Sequence, residues 1–157
     1  MKTLIKRIQT ALQTDATISQ YVASNSIQVV SPDLLPDISQ TALPYIGIAP
    51  ISTSEAWFST GIQNVTHIVN IYVCQILEIV ETAILGDTVK PGLLELLTYV
   101  ENATRAKQFA SAGVNYLSKP SQIAGVRYST SPYGDNVFVF VGTITLQCVR
   151  QIVVVPA

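Results

Sequence analysis

Charge is what this chain lacks most. Lys, Arg, Asp and Glu make up 12% of its 157 residues, where about 25% is usual for a soluble domain. Nine Lys and Arg against ten Asp and Glu leave a formal net charge of −1. No basic run exceeds the pair Lys6 and Arg7, so nucleic-acid recognition through a basic patch is not expected. Long apolar runs are missing as well. The longest, 68–80, is interrupted by Asn70, Gln75 and Glu78, and a membrane span needs roughly 18 to 20 uninterrupted apolar residues. The first thirteen residues interleave Lys6, Arg7, Gln9 and Thr10 with apolar positions, unlike the continuous apolar stretch of a secretory signal. The chain is therefore expected to be cytosolic when made and to have no membrane partner.

Chemistry-bearing residues are equally sparse. There is one histidine, His67, and there are two cysteines, Cys74 and Cys148. All three fall in apolar, strand-like segments, and the cysteines read as buried thiols rather than a disulfide. One His and two distant Cys do not make a zinc site. The sequence has no GxSxG, GxxxxGK[ST] or GxGxxG motif, so neither a nucleophile elbow nor a phosphate cradle is indicated. The carboxylates are scattered, and each reads as a solvated position. No cofactor, metal or catalytic residue is assigned, and the expectation is that the chain is not an enzyme.

What remains is an apolar chain, 48% hydrophobic with a mean hydropathy of +0.39. Without a membrane span, that excess is best explained by surfaces that other subunits cover. One domain, 1–157, is expected at this length. Residues 2–13 read as an amphipathic helix with Leu4, Ile5, Ile8, Ala11 and Leu12 on its apolar face. Asp15 then caps a short turn carrying Ile18, Tyr21 and Val22. A strand at 27–30 leads into a proline-rich loop, 31–44. A strand from Tyr45 runs on toward Phe58 and breaks at Gly61. Residues 64–77 form a long strand whose two faces both carry apolar side chains, so that both faces are expected to be covered. A short helix, 78–85, precedes a second helix opened by Pro91, with Leu93, Leu96, Leu97, Val100 and Ala103 as its buried stripe. Residues 108–124 are poorly patterned. Strands at 125–130 and 136–153 close the chain as a long hairpin about the turn 131–135. The fold class expected is α+β: an antiparallel or mixed sheet of four to five strands, with the N-terminal and central helices packed on one face and a long C-terminal β-hairpin.

With this order in place, the chain resembles the tail completion, tail terminator and neck (head–tail joining) proteins of tailed bacteriophages. The resemblance rests on Leu12-Gln13-Thr14-Asp15-Ala16 after the opening helix and Leu43-Pro44-Tyr45-Ile46-Gly47-Ile48 after the proline-rich loop. It continues in the strand 66–75, in Glu81-Thr82-Ala83-Ile84-Leu85-Gly86-Asp87 and Pro91-Gly92-Leu93-Leu94, and in the close at Cys148-Val149-Arg150. It spans nearly the whole chain, departing at 106–124. It implies a homo-oligomeric ring, commonly hexameric, that ends the tail tube and joins it to the capsid connector. The partners would be the tail tube protein and the connector or neck proteins, with a lumen through which DNA passes unread. The location would be the virion's head–tail interface, reached from the host cytoplasm during assembly. The contact residues expected are Pro36 and Asp37 in the first loop, Trp57 and Phe58 beside Gly61, Tyr116 in the unpatterned stretch, and Tyr133 and Asp135 at the hairpin tip. Trp57 and Phe58 read equally as core residues. The alternative is a small ligand-binding or enzymatic α+β domain, with His67, Tyr72 and Glu55 lining a pocket.

Overall fold

The computed structural model describes residues 1–31, 43–76, 80–132 and 138–155. Helix α1 (Lys2–Thr14) is followed by two single 3-10 turns, strand β1 (Ile27–Val29), β2 (Tyr45–Ser59) and β3 (Ile62–Ile76). Helices α2 (Val80–Leu85) and α3 (Leu93–Thr104) come next, and β4 (Gln122–Pro132) and β5 (Phe138–Val153) close the chain. The five strands form one sheet in the order β1-β2-β3-β5-β4. β1 runs parallel to β2, and every other pair is antiparallel, so the sheet is mixed. This is the α+β architecture expected, including the C-terminal hairpin of β4 and β5.

Helices α1 and α3 form for the reason their spacing predicts. Leu4, Ile5, Ile8 and Leu12 of α1 are buried, and no side chain caps its N-terminus, so packing rather than capping holds it. Gln9 Nε2 and Gln13 Nε2 donate to the carbonyls of Ile27 and Ser24, at 2.9 and 3.0 Å, and tie α1 to the start of β1. Asp15 does cap the next turn: its Oδ1 accepts from the backbone of Thr17 and Ile18. Helix α3 buries Leu93, Leu96, Leu97, Val100 and Ala103. It begins two residues after Pro91, with Gly92 as its N-cap, and not at the proline. Both helices meet the sheet face formed by Val69, Ile71, Val73, Ile144, Leu146 and Cys148 in one core cluster. Each fully buried aliphatic side chain there contributes about 1.5 to 3 kcal/mol of transfer free energy. Gly142 lets α3 sit low on the sheet, since a Cβ there would lie 2.5 Å from Leu97 Cδ1.

The opposite face of β3 behaves differently. Tyr45, Cys74, Val139 and Val141 bury one end of it in a small second cluster, which no described helix residue joins. Its centre, at Ile68, Asn70, Tyr72, Thr143 and Thr145, is only half-buried. Asn70 Oδ1 accepts from Thr145 Oγ1 at 2.9 Å. The sheet thus has a helix-covered face and a mixed polar face that is half-buried among the described residues, where cover on both faces was expected. The β2–β3 hairpin also differs from expectation. It is tighter, turning at Thr60 and Gly61, with Gly61 at φ 81°, a conformation open to glycine. Among the described residues, no helix is long and apolar enough to cross a membrane.

Candidate assembly surfaces

The far half of the β2–β3 hairpin projects beyond the helices. All residues of 51–60 are exposed. Trp57 is 66% and Phe58 60% accessible, which decides between core and surface for this pair: they are surface residues. β5 pairs with the same end of β3, Val153 opposite Ile62, and Val154 N donates to the Gly61 carbonyl at 2.9 Å. Val153 and Val155, 78% and 81% accessible, are thereby held beside the hairpin turn. One end of the sheet therefore presents two aromatic and two aliphatic side chains to solvent. Aromatic residues in such clusters are the common anchors of protein interfaces.

The stretch between α3 and β4 looks unpatterned in sequence, yet it is closely held. Ala106, Phe109 and Ala112 adopt positive φ angles of 55°, 48° and 51°, unusual for residues with a Cβ. Ser111 and Val114 exchange both backbone hydrogen bonds across Ala112 and Gly113. Phe109 and Leu117 are buried in the main core. Arg7 of α1 donates to the carbonyls of Phe109 and Val114, at 2.7 and 3.0 Å. Two guanidiniums lie over the Tyr116 ring, Arg7 at 5.4 Å and Arg150 at 4.8 Å from its centroid. Tyr116, expected as a contact residue, is half-buried and packs against both arginines. Arg7 and Arg150 carry no local signature of this role: 109 positions separate Arg7 from Tyr116. The exposed tip of the stretch is Val114, at 65%. Pro36, Asp37, Tyr133 and Asp135 lie outside the described residues.

The three residues of the alternative pocket do not converge. Register places His67 and Glu55 on the helix-covered face and Tyr72 on the other. His67 is buried at 4%, and its Nδ1 lies 3.0 Å from Thr53 Oγ1. Its pKa is lowered from the usual value near 6.5, first by burial, then by the α-ammonium of Met1 and the Arg150 guanidinium. The unfolded chain therefore binds this proton first. The stability owed to the neutral imidazole is complete above about pH 6.5 and is lost as the pH falls from there through the folded value. The melting temperature should drop between about pH 7.5 and 5.5, and His67→Gln should flatten that drop. An unchanged slope in the variant would refute the assignment.

Burial pushes both thiols, Cys74 and Cys148, up to about 12, and both are free, so neither holds a reactive thiolate at neutral pH. A groove of about 530 Å³ is lined by Ala11, Thr14, Asp15, Lys107 and Phe109 among others. Its one carboxylate, Asp15, is already engaged by two backbone N–H groups. Among the described residues, no three His, Cys, Asp or Glu gather as metal ligands would. What the described surface offers is apolar contact at the hairpin end and unpaired backbone along the outer edges of β2 and β4. A search of protein-family models finds none that matches this chain, and a search of curated proteins finds no match either.

Proposed function

We propose that this chain is a non-enzymatic structural subunit that forms a ring at the head–tail junction of a tailed bacteriophage. The ring would end the tail tube and join it to the capsid connector, with DNA passing through its lumen unread. The observation that carries the assembling role is the exposed cluster of Trp57, Phe58, Val153 and Val155 on a sheet end beyond the helices. Apolar side chains gathered on one end of a surface mark a contact site. The low charge of the chain supports the same reading. The phage setting rests on the resemblance of element order and short words along the sequence.

The test is assembly. Light scattering at high protein concentration, followed by electron microscopy of the protein alone and mixed with its tail tube, should reveal closed rings. A chain that stays monomeric and adds no ring to tube ends defeats the proposal. Tube ends are included because such subunits can remain monomeric until the tube is present.

A further inference from the structure

Among the described residues two strand edges are left open, and they are complementary in three respects. β1 pairs with β2 only at Ile46–Ile48, so the outer edge of β2 from Ile51 to Ser59 has no partner among the described residues. The outer edge of β4, Gln122–Pro132, has none either. Both are long, and neither carries a lysine, the usual guard of an edge strand. The first match is polarity. β4 runs antiparallel to β2 within one copy, so a rotation that keeps the strand direction brings β4 of a neighbour antiparallel to β2.

The second match is side-chain placement. Thr53, Glu55 and Trp57 lie on the helix-covered side of β2, opposite His67, Val65 and Gln63. Val126, Tyr128 and Thr130 lie on that same side of β4, through Ile144, Gly142 and Phe140. Setting Glu55 opposite a neighbour's Tyr128 places Trp57 opposite Val126 and Thr53 opposite Thr130. These are aromatic–β-branched and Thr–Thr pairs of the kind that stabilise antiparallel ladders. Trp57 and Tyr128, 66% and 55% accessible, would be covered together.

The third match is charge. In the same register Arg127, which is exposed, stands opposite Ala56. Two-fold pairing of either edge about its centre would instead set Glu55 against Glu55, or Arg127 against Arg127, and like charges directly opposed are destabilising. Both edges therefore favour the head-to-tail contact that a closed ring requires.

We propose that copies of this chain join by adding the free edge of β4 to the free half of β2, which makes one continuous sheet around the ring. The proposal rests on the ring reading above and specifies its contact. The two edges sit at different heights, because Gln122 is level with Ser52 through Gln147 and Ile68. Successive copies must therefore be displaced along the strands, which a closed sheet absorbs by inclining its strands to the axis.

Cysteine pairs give the test. Ser54 and Ser129, both exposed, face each other in this register, while the native Cys74 and Cys148 are buried. Under oxidation at assembling concentration, the double variant S54C/S129C should form a covalent ladder up to the full ring. Mixing the single variants S54C and S129C should yield only their mixed dimer. Ala56→Lys, an edge guard, should abolish the ladder with an unchanged melting temperature. Rings seen by microscopy without a ladder would overturn the edge contact and leave the ring reading standing. Homodimers of S54C alone would establish two-fold pairing and overturn the edge contact. Absence of both rings and cross-links would defeat both proposals.

Discussion

Gly92→Ala should destabilise the fold by about 3 kcal/mol or more, the upper range for overpacking a closed site. The melting temperature should fall by about 10 °C at this chain length. A Cβ on Gly92 would lie 2.2 Å from Gly86 N, 2.4 Å from the Ile84 carbonyl oxygen and 2.5 Å from the Leu85 carbonyl carbon. All three are backbone atoms, so no side-chain rotation relieves the clash. The backbone cannot easily give, because the α2–α3 connection is fastened throughout. Gly86 N donates to the Thr82 carbonyl, and Asp87 N to that of Lys90. Asp87 Oδ1 accepts from Val89 and Lys90 at 2.7 and 2.8 Å, and those bonds hold its carboxyl below the usual range. Gln75 Nε2 ties the Pro91 carbonyl to β3 at 3.2 Å. Gly125 is the control. It has no atom within 4 Å of its would-be Cβ, so Gly125→Ala should change stability by less than about 0.5 kcal/mol. Chemical denaturation of both variants checks the pair. Equal effects would show that Gly92 is not a contact point of two backbones.

Replacing Trp57 and Phe58 together with serine should abolish assembly while leaving the fold intact. Neither ring supports the core, at 66% and 60% accessibility, so stability should move by about 0.5 kcal/mol or less. A central aromatic anchor in an interface is commonly worth about 2 kcal/mol or more, which is roughly a 30-fold loss of association for either residue alone. Sedimentation of the variant against the unmodified chain, with circular dichroism as the folding check, separates the outcomes. A folded variant that assembles normally would remove the hairpin end from the proposed interface. A variant that unfolds would show that the pair carries structure after all.

Much of the fold was legible in residue order. Helices α1 and α3 announce themselves because an apolar side chain every three or four residues suits only one geometry. β3 and β5 are legible by alternation and length, and so is the hairpin of β4 and β5, although β4 spans Gln122–Pro132 where a strand at 125–130 was expected, and Ser131 and Pro132, read as turn residues, belong to it. The poorly patterned stretch before β4 was not legible. Its buried members, Phe109 and Leu117, stand among small and polar residues, and its shape depends on Arg7 and Arg150, which are distant in sequence. The candidate surface was half-legible. Trp57 and Phe58 stand out by type, but a hydrophobic residue beside a turn is equally at home inside or outside.

The sequence by itself determined the element types, the buried stripe of each long helix and the scarcity of charge. These follow from side-chain chemistry at short spacing, where the period of the backbone does the selecting. Only the tertiary structure decided the strand order, the parallel insertion of β1 beside β2, and which face of β3 the helices cover. It also decided which edges stay open and which apolar side chains remain outside. Those depend on contacts between residues far apart in the chain, and no local pattern encodes which partner a strand edge meets or fails to meet.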